Sequence, residues 1–152
     1  MTPQQIASGY DRGIVWSRWS ATVVDVVALV ALLGLFWFPR ASEQDARADL
    51  FFALVGGYYV LLEGLLGATL GKLLVGLRIV DSAGHRPGVH RIFIRTLLRL
   101  IEVNPVAAGG LPAGLFVLYT KDRQRLGDIL AGTYVLRVRD LAKLDGSKGK
   151  ER

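Results

Sequence analysis

The sequence predicts an all-α membrane protein: two transmembrane helices in a hairpin, a third broken or re-entrant apolar segment, a basic amphipathic helix and a small cytoplasmic β-hairpin. Three observations lead there. Half of the 152 residues are apolar (51%) and mean hydropathy is +0.36, although 21% are charged. The apolar and charged residues are segregated along the chain, which excludes intrinsic disorder as the main state. The Lys and Arg residues gather on one side of the apolar blocks, as they do in a chain oriented across a bilayer.

The first block, Trp19 to Phe38, runs for 20 residues with one ionisable group, Asp25, and predicts a helix over about 18–38. The second, Leu50 to Leu70, runs for 21 residues with one, Glu63, and predicts a helix over about 50–70. A helix of about 20 residues spans the hydrocarbon slab. The alternation that a membrane strand needs is absent from both, and two buried helices of a soluble core are the competing reading. Trp16 and Trp19 at one end and Phe36-Trp37-Phe38 at the other suit the two interfaces.

Orientation follows from the cations. Arg12 and Arg18 precede the first block, and the connector offsets Arg40 and Arg47 with Glu43, Asp45 and Asp49. The stretch from Gly71 to Leu100 has Lys72, Arg78, Arg86, Arg91, Arg95 and Arg99 against Asp81 alone. The N-terminus and the region after residue 70 are therefore expected in the cytoplasm. The third stretch, Val103 to Tyr119, contains Pro105, Gly109, Gly110, Pro112 and Gly114, which argue against one straight helix. A full crossing would strand nine Lys or Arg residues outside, so a re-entrant segment with both ends cytoplasmic is the preferred reading.

Leu74 to Asp81 and Tyr134 to Asp140 are short and β-branched, and are expected to pair beneath the membrane. Between them, Val89 to Ile101 (a helix over about 89–102) places Arg91, Arg95 and Arg99 at steps of four, with Ile92, Phe93, Leu97 and Leu100 mostly elsewhere. Such a helix either lies in the headgroup plane of an anionic leaflet or docks on its own protein. The domain organisation is then an N-terminal cytoplasmic segment (1–17), a membrane domain (18–139, its last apolar helix within 103–119) and a disordered basic tail (140–152).

Several residues stand out as candidates for function. Arg18, Ala21, Asp25 and Ala28 share one helical face, and Asp25 lies about 10 Å inside the boundary. A carboxylate there must face protein or water. Glu63, one turn from Tyr59, falls at the same depth on the returning helix. If the two acids meet, they share a proton, bind a cation or pair with arginine; otherwise Glu63 hydrogen-bonds Tyr59 or backbone. Gly57, Gly64 and Gly71 recur every seven residues with Gly67 beside them, the pattern of a close-packing seam. Asp128 follows Arg123 and Arg125, which suggests an ion pair at the membrane surface. Lys72, Arg78, Arg91, Arg95, Arg99, Arg123 and Arg125 are the candidate basic contacts of the cytoplasmic face.

Much chemistry is excluded. With no cysteine and only His85 and His90, thiolate sites and multi-His metal centres have no ligands, and no cofactor is expected. Gly67-Ala68-Thr69-Leu70-Gly71-Lys72-Leu73 has the wrong glycine spacing for a phosphate loop, and Leu73 replaces the required hydroxyl residue. No catalytic triad is suggested, so an enzyme is not expected. The net charge of +6 follows the apolar spans rather than any nucleic-acid-binding motif.

Three ordered blocks resemble the RDD family of small bacterial membrane proteins. Arg18-x-x-Ala21-x-x-x-Asp25 resembles its first-helix signature, and Thr69 to Asp81 (TLGKLLVGLRIVD) its central block. Arg95 matches the basic position that follows. Arg123 to Asp128 (RQRLGD) with Ala131-Gly132-Thr133 resembles the closing block. The resemblance covers about residues 12 to 139 and implies that Arg18, Asp25 and Asp128 are the namesake residues. It also implies a multi-pass protein of the bacterial cytoplasmic membrane. For function it implies transport of an ion or small solute, with sodium/proton exchange suggested for some relatives; Glu63 is not part of the signature. Two or three spans are too few to enclose a path, so a transporter is expected to be a homo-oligomer carrying sodium or protons. The rival is a non-transporting scaffold or accessory protein that contacts anionic lipid or a partner.

Overall fold

In the computed structural model, residues 1–37, 44–102 and 111–144 are described. The order is α1 (Pro3–Ser8), α2 (Gly13–Trp37), α3 (Gln44–Leu66), α4 (Leu70–Leu74), β1 (Leu77–Asp81), α5 (Val89–Glu102), α6 (Leu111–Tyr119), α7 (Leu126–Leu130) and β2 (Thr133–Arg137). A 3-10 turn, Val138–Asp140, follows. The structure is thus mostly helical with one small sheet.

Helix α2 begins where the Asp11 side chain accepts from the Gly13 amide (3.1 Å), and its 25 residues extend about 37 Å. Its segment Gly13–Gly34 is, among the described residues, the one long and apolar enough to cross a bilayer; the apolar part of α3, Leu50–Leu66, is shorter. Val23, Val26, Val27 and Val30 form an exposed stripe along α2 at helical spacing. The opposite side packs Leu29 and Leu33 against Val55, Tyr58 and Tyr59 of α3. Since Asp25 meets Tyr58 while Leu29 and Leu33 reach back to Val55, the two helices run in opposite directions.

Helix α3 stops at Leu66, four residues before the sequence-based boundary. Gly67 adopts φ +67°, a left-handed conformation that a side chain would strain, and its carbonyl accepts from Ile79 of β1 (2.8 Å). Arg78 and Arg86 satisfy the last helical carbonyls, donating to Leu66 O (2.7 Å) and Leu65 O (3.0 Å). The expected glycine seam is consequently broken into unlike parts. Gly57 faces open space, Gly64 touches only the tip of Ile92, Gly67 makes the turn, and Gly71 lies on the separate helix α4. Only Gly71 allows a close helix crossing: a Cβ there would stand 1.9 Å from the Ala21 carbonyl oxygen of α2.

Strands β1 and β2 pair antiparallel, from Leu77 opposite Arg137 to Asp81 opposite Thr133. The sequence-based pairing stands, but the connection is not a hairpin, because α5, α6 and α7 intervene. Both faces are covered. Leu77, Ile79 and Val135 pack with Ile14, Val15, Ala21 and Val117. Val80 and Leu136 pack with Ile6 and Ala7 of α1 and with Leu144. Fully burying each such aliphatic side chain contributes about 1.5–3 kcal/mol. Residues 140–144, assigned from the sequence to a disordered tail, belong to this cap: Asp140 accepts from the Tyr10 hydroxyl (2.8 Å) and Leu144 is buried. The rest of that tail and the first part of the third apolar segment (103–110) lie outside the described residues, so the re-entrant path does too; its later part is α6.

Gly71→Ala is expected to destabilise the protein by about 2 kcal/mol or more, because backbone must move away from backbone. Gly57→Ala should be neutral or stabilising by up to about 1 kcal/mol through helix propensity. Thermal unfolding of the two variants in detergent checks the contrast.

Candidate functional site

Arg18 and Asp128 come together although they lie 110 residues apart. Arg18 leaves the first turns of α2 and donates through Nη2 to Asp128 Oδ2, while its Nη1 donates to the Arg123 carbonyl (3.0 Å). Asp128 sits on α7 and is fully buried. Its Oδ1 receives Arg95 Nη1 at 2.5 Å and Arg125 Nε at 3.2 Å. The Arg125 backbone amide adds a contact to Oδ2 at 3.3 Å. Burial alone raises the Asp128 carboxyl, but Arg95, Arg18 and Arg125 outweigh it and hold it well below the usual carboxylate range. Thr133 of β2 links the sheet to this centre, with its hydroxyl accepting from Arg95 and its carbonyl accepting from Gln124 Nε2 (2.8 Å).

Glu63 forms a second centre in the last turn of α3. Its Oε1 receives Lys72 Nζ (2.5 Å) and Arg99 Nη2 (3.1 Å), and its Oε2 receives Arg95 Nε (3.3 Å). Arg95 therefore bridges Glu63 and Asp128, joining α3, α5 and α7 through one guanidinium. Arg99 also lies 3.8 Å over the Tyr59 ring, a cation–π contact.

Asp25 belongs to neither centre. It is buried (2% exposed) on α2, where Oδ1 accepts from the Tyr58 hydroxyl (2.8 Å) and the Gly71 amide (2.7 Å), and Oδ2 from the Thr69 hydroxyl (2.6 Å). Thr69 also caps α4, which fixes that hydroxyl in place. Asp25 and Glu63 do not share partners among the described residues: neutral donors hold the first and three cations the second. Spacing along two helices does not say which faces meet. Tyr59 hydrogen-bonds neither acid through a described contact; its neighbour Tyr58 does so with Asp25.

The candidate basic contacts divide in the same way. Lys72, Arg95, Arg99 and Arg125 are buried in the two centres rather than turned to headgroups. Arg91 donates to the Gly132 carbonyl (2.9 Å), Arg78 caps α3, and Arg123 donates to the carbonyls of Tyr10 (3.3 Å) and Leu118 (2.6 Å). On α5 the exposed residues include Phe93, Ile94 and Leu97, so its charged side faces protein and its apolar side faces outward. Thr69, Tyr58, Gln124 and Thr133 were not picked out as site residues. Thr69, Gln124 and Thr133 lie within the motif blocks, which is the available signal; nothing marks Tyr58 over Tyr59.

Asp128→Asn is expected to cost about 3–5 kcal/mol, since it leaves Arg18, Arg95 and Arg125 without their shared charge. In the wild type the Asp128 contribution is fully present above about pH 4, near the unfolded carboxyl value, and is lost only as pH falls through the depressed folded value. Detergent-solubilised melts from pH 7 down to 3 check both: the variant should have a lower midpoint and a weaker acid dependence.

A family model described as the RDD family matches residues 12–132. A relative from Bacillus subtilis (strain 168), "Uncharacterized protein YckC", is 29% identical over 124 residues, covering 79% of this chain and 81% of its own. No solved structure matches the chain. The matched region contains Arg18 and Asp128 of the first centre, Glu63 and Lys72 of the second, and Asp25 with its Thr69 and Gly71 donors, and the chain belongs to the RDD family.

Proposed function

We propose that this protein is a multi-pass membrane scaffold or accessory protein with a cytoplasmic N-terminus, in which Arg18, Asp25, Glu63 and Asp128 fasten helices to a cytoplasmic cap. The burial and close coordination of the two acids support this reading. Asp25 is 2% and Glu63 1% exposed, and each carboxylate accepts from three close donors. A carrier carboxylate must exchange ligands and meet water during every cycle; here each exchange would strand buried partners at several kcal/mol. In this reading α2 and α3 cross as a hairpin. The valine stripe of α2 and the apolar side of α5 contact lipid, and the basic residues after position 70 stay inside. The scaffold works as a monomer or as a homo-oligomer.

Sodium/proton exchange is the second reading, favoured by one feature. Among the described residues Asp25 meets neutral donors and no cationic side chain, so no fixed cation occupies the place that a proton or sodium ion would take. Proteoliposomes loaded with a pH-sensitive dye separate the two. The scaffold predicts no sodium-driven pH change above protein-free vesicles, and a lower melting temperature for Asp25→Asn. Flux in the wild type that is lost in a folded Asp25→Asn variant would establish exchange instead.

A further inference from the structure

The two charged centres do not balance. Five cationic side chains, Arg18, Lys72, Arg95, Arg99 and Arg125, converge on two carboxylates, Glu63 and Asp128, among the described side chains. The surplus is not spread over solvent: Arg95 is 0% exposed, Arg99 7% and Arg125 8%. Among the described residues, each of these three arginines also keeps one buried nitrogen without a hydrogen-bond partner, namely Arg95 Nη2, Arg99 Nη1 and Arg125 Nη2. Buried guanidinium donors normally find acceptors, and an uncompensated buried charge is among the costliest features a fold can hold.

The three unpartnered donors belong to one cluster. Arg95 and Arg99, one turn apart on α5, grip opposite oxygens of Glu63. Arg95 and Arg125 grip the same oxygen of Asp128. Burial, and next to it repulsion from Arg99, pulls the Arg125 guanidinium down to about 10, with Asp128 offsetting part of the shift. Each guanidinium offers one free nitrogen, and three such donors on three arginines suit an anion with several charged oxygens, such as phosphate, better than a single-atom halide.

We propose that Arg95, Arg99 and Arg125 form a binding site for a phosphate-type oxyanion, supplied either as a lipid headgroup or as free phosphate. The site completes the hydrogen bonding of the α5–α7 contact and supplies the missing negative charge. It goes beyond the scaffold reading and does not depend on it, since flux and anion binding are measured separately.

The test uses the full chain in a non-ionic detergent after delipidation. Inorganic phosphate and, separately, phosphatidylglycerol are titrated at fixed ionic strength, with chloride and phosphatidylcholine as controls. A saturable rise in melting temperature of about 5 °C or more is expected with at least one phosphate source. Stabilisation by inorganic phosphate assigns a free anion; stabilisation by phosphatidylglycerol alone assigns a headgroup. Arg99→Gln and Arg125→Gln should each reduce the increment by more than half. Calorimetric titration of the wild type with both sources keeps the test open should either variant fail to fold. No saturable response beyond the controls by melting and calorimetry, or a full response in two folded variants, would overturn the site.

Discussion

One guanidinium, that of Arg95, holds the described structure together. It is fully buried and touches both Glu63 of α3 and Asp128 of α7, while its hydroxyl partner Thr133 begins the second strand. Each carboxylate in turn gathers cations from elsewhere: Arg18 from α2, Lys72 from α4, Arg99 and Arg125. Directional ion pairs are well suited to this task in a chain with little soluble core. Helices exposed to lipid gain nothing from burying leucine against leucine, so polar contacts and close backbone approaches must define their arrangement. The Gly71–Ala21 crossing and the Asp25 coordination supply the same kind of definition for α2 against α4.

Much of this was readable in the residues, and the parts that were not share a cause. Long apolar runs located α2 and the apolar part of α3, and short β-branched runs located the paired strands. Periodicity also placed Arg91, Arg95 and Arg99 together on α5. It could not say which side of that helix turns inward. In a soluble core the apolar side goes in; here Phe93, Ile94 and Leu97 lie exposed while Arg95 and Arg99 are buried against Glu63. The same limit applies to Asp25 and Glu63: the sequence left open whether they meet, and Glu63 pairs with arginines while Asp25 takes neutral donors. A hydropathy pattern also runs straight through Gly67, because a left-handed turn costs a glycine nothing and leaves no mark on apolar content.

The three sequence blocks shared with the RDD family acquire a physical meaning from these contacts. The first supplies Arg18 and Asp25, the second Thr69, Gly71 and Lys72, and the third Arg125 and Asp128. Asp25 joins the first block to the second through the Thr69 hydroxyl and the Gly71 amide, and Arg18 joins the first to the third. The blocks are far apart in the chain because each supplies one side of a contact.

That separation constrains the order of synthesis. Glu63 acquires its first counterion only nine residues later, from Lys72, so this charge can be neutralised while the ribosome is still making the middle of the chain. Arg18 has no such local relief and must wait for a residue 110 positions downstream. Until α7 is made, that cation lacks its carboxylate, so the docking of the beginning of α2 onto the cap follows the synthesis of Asp128.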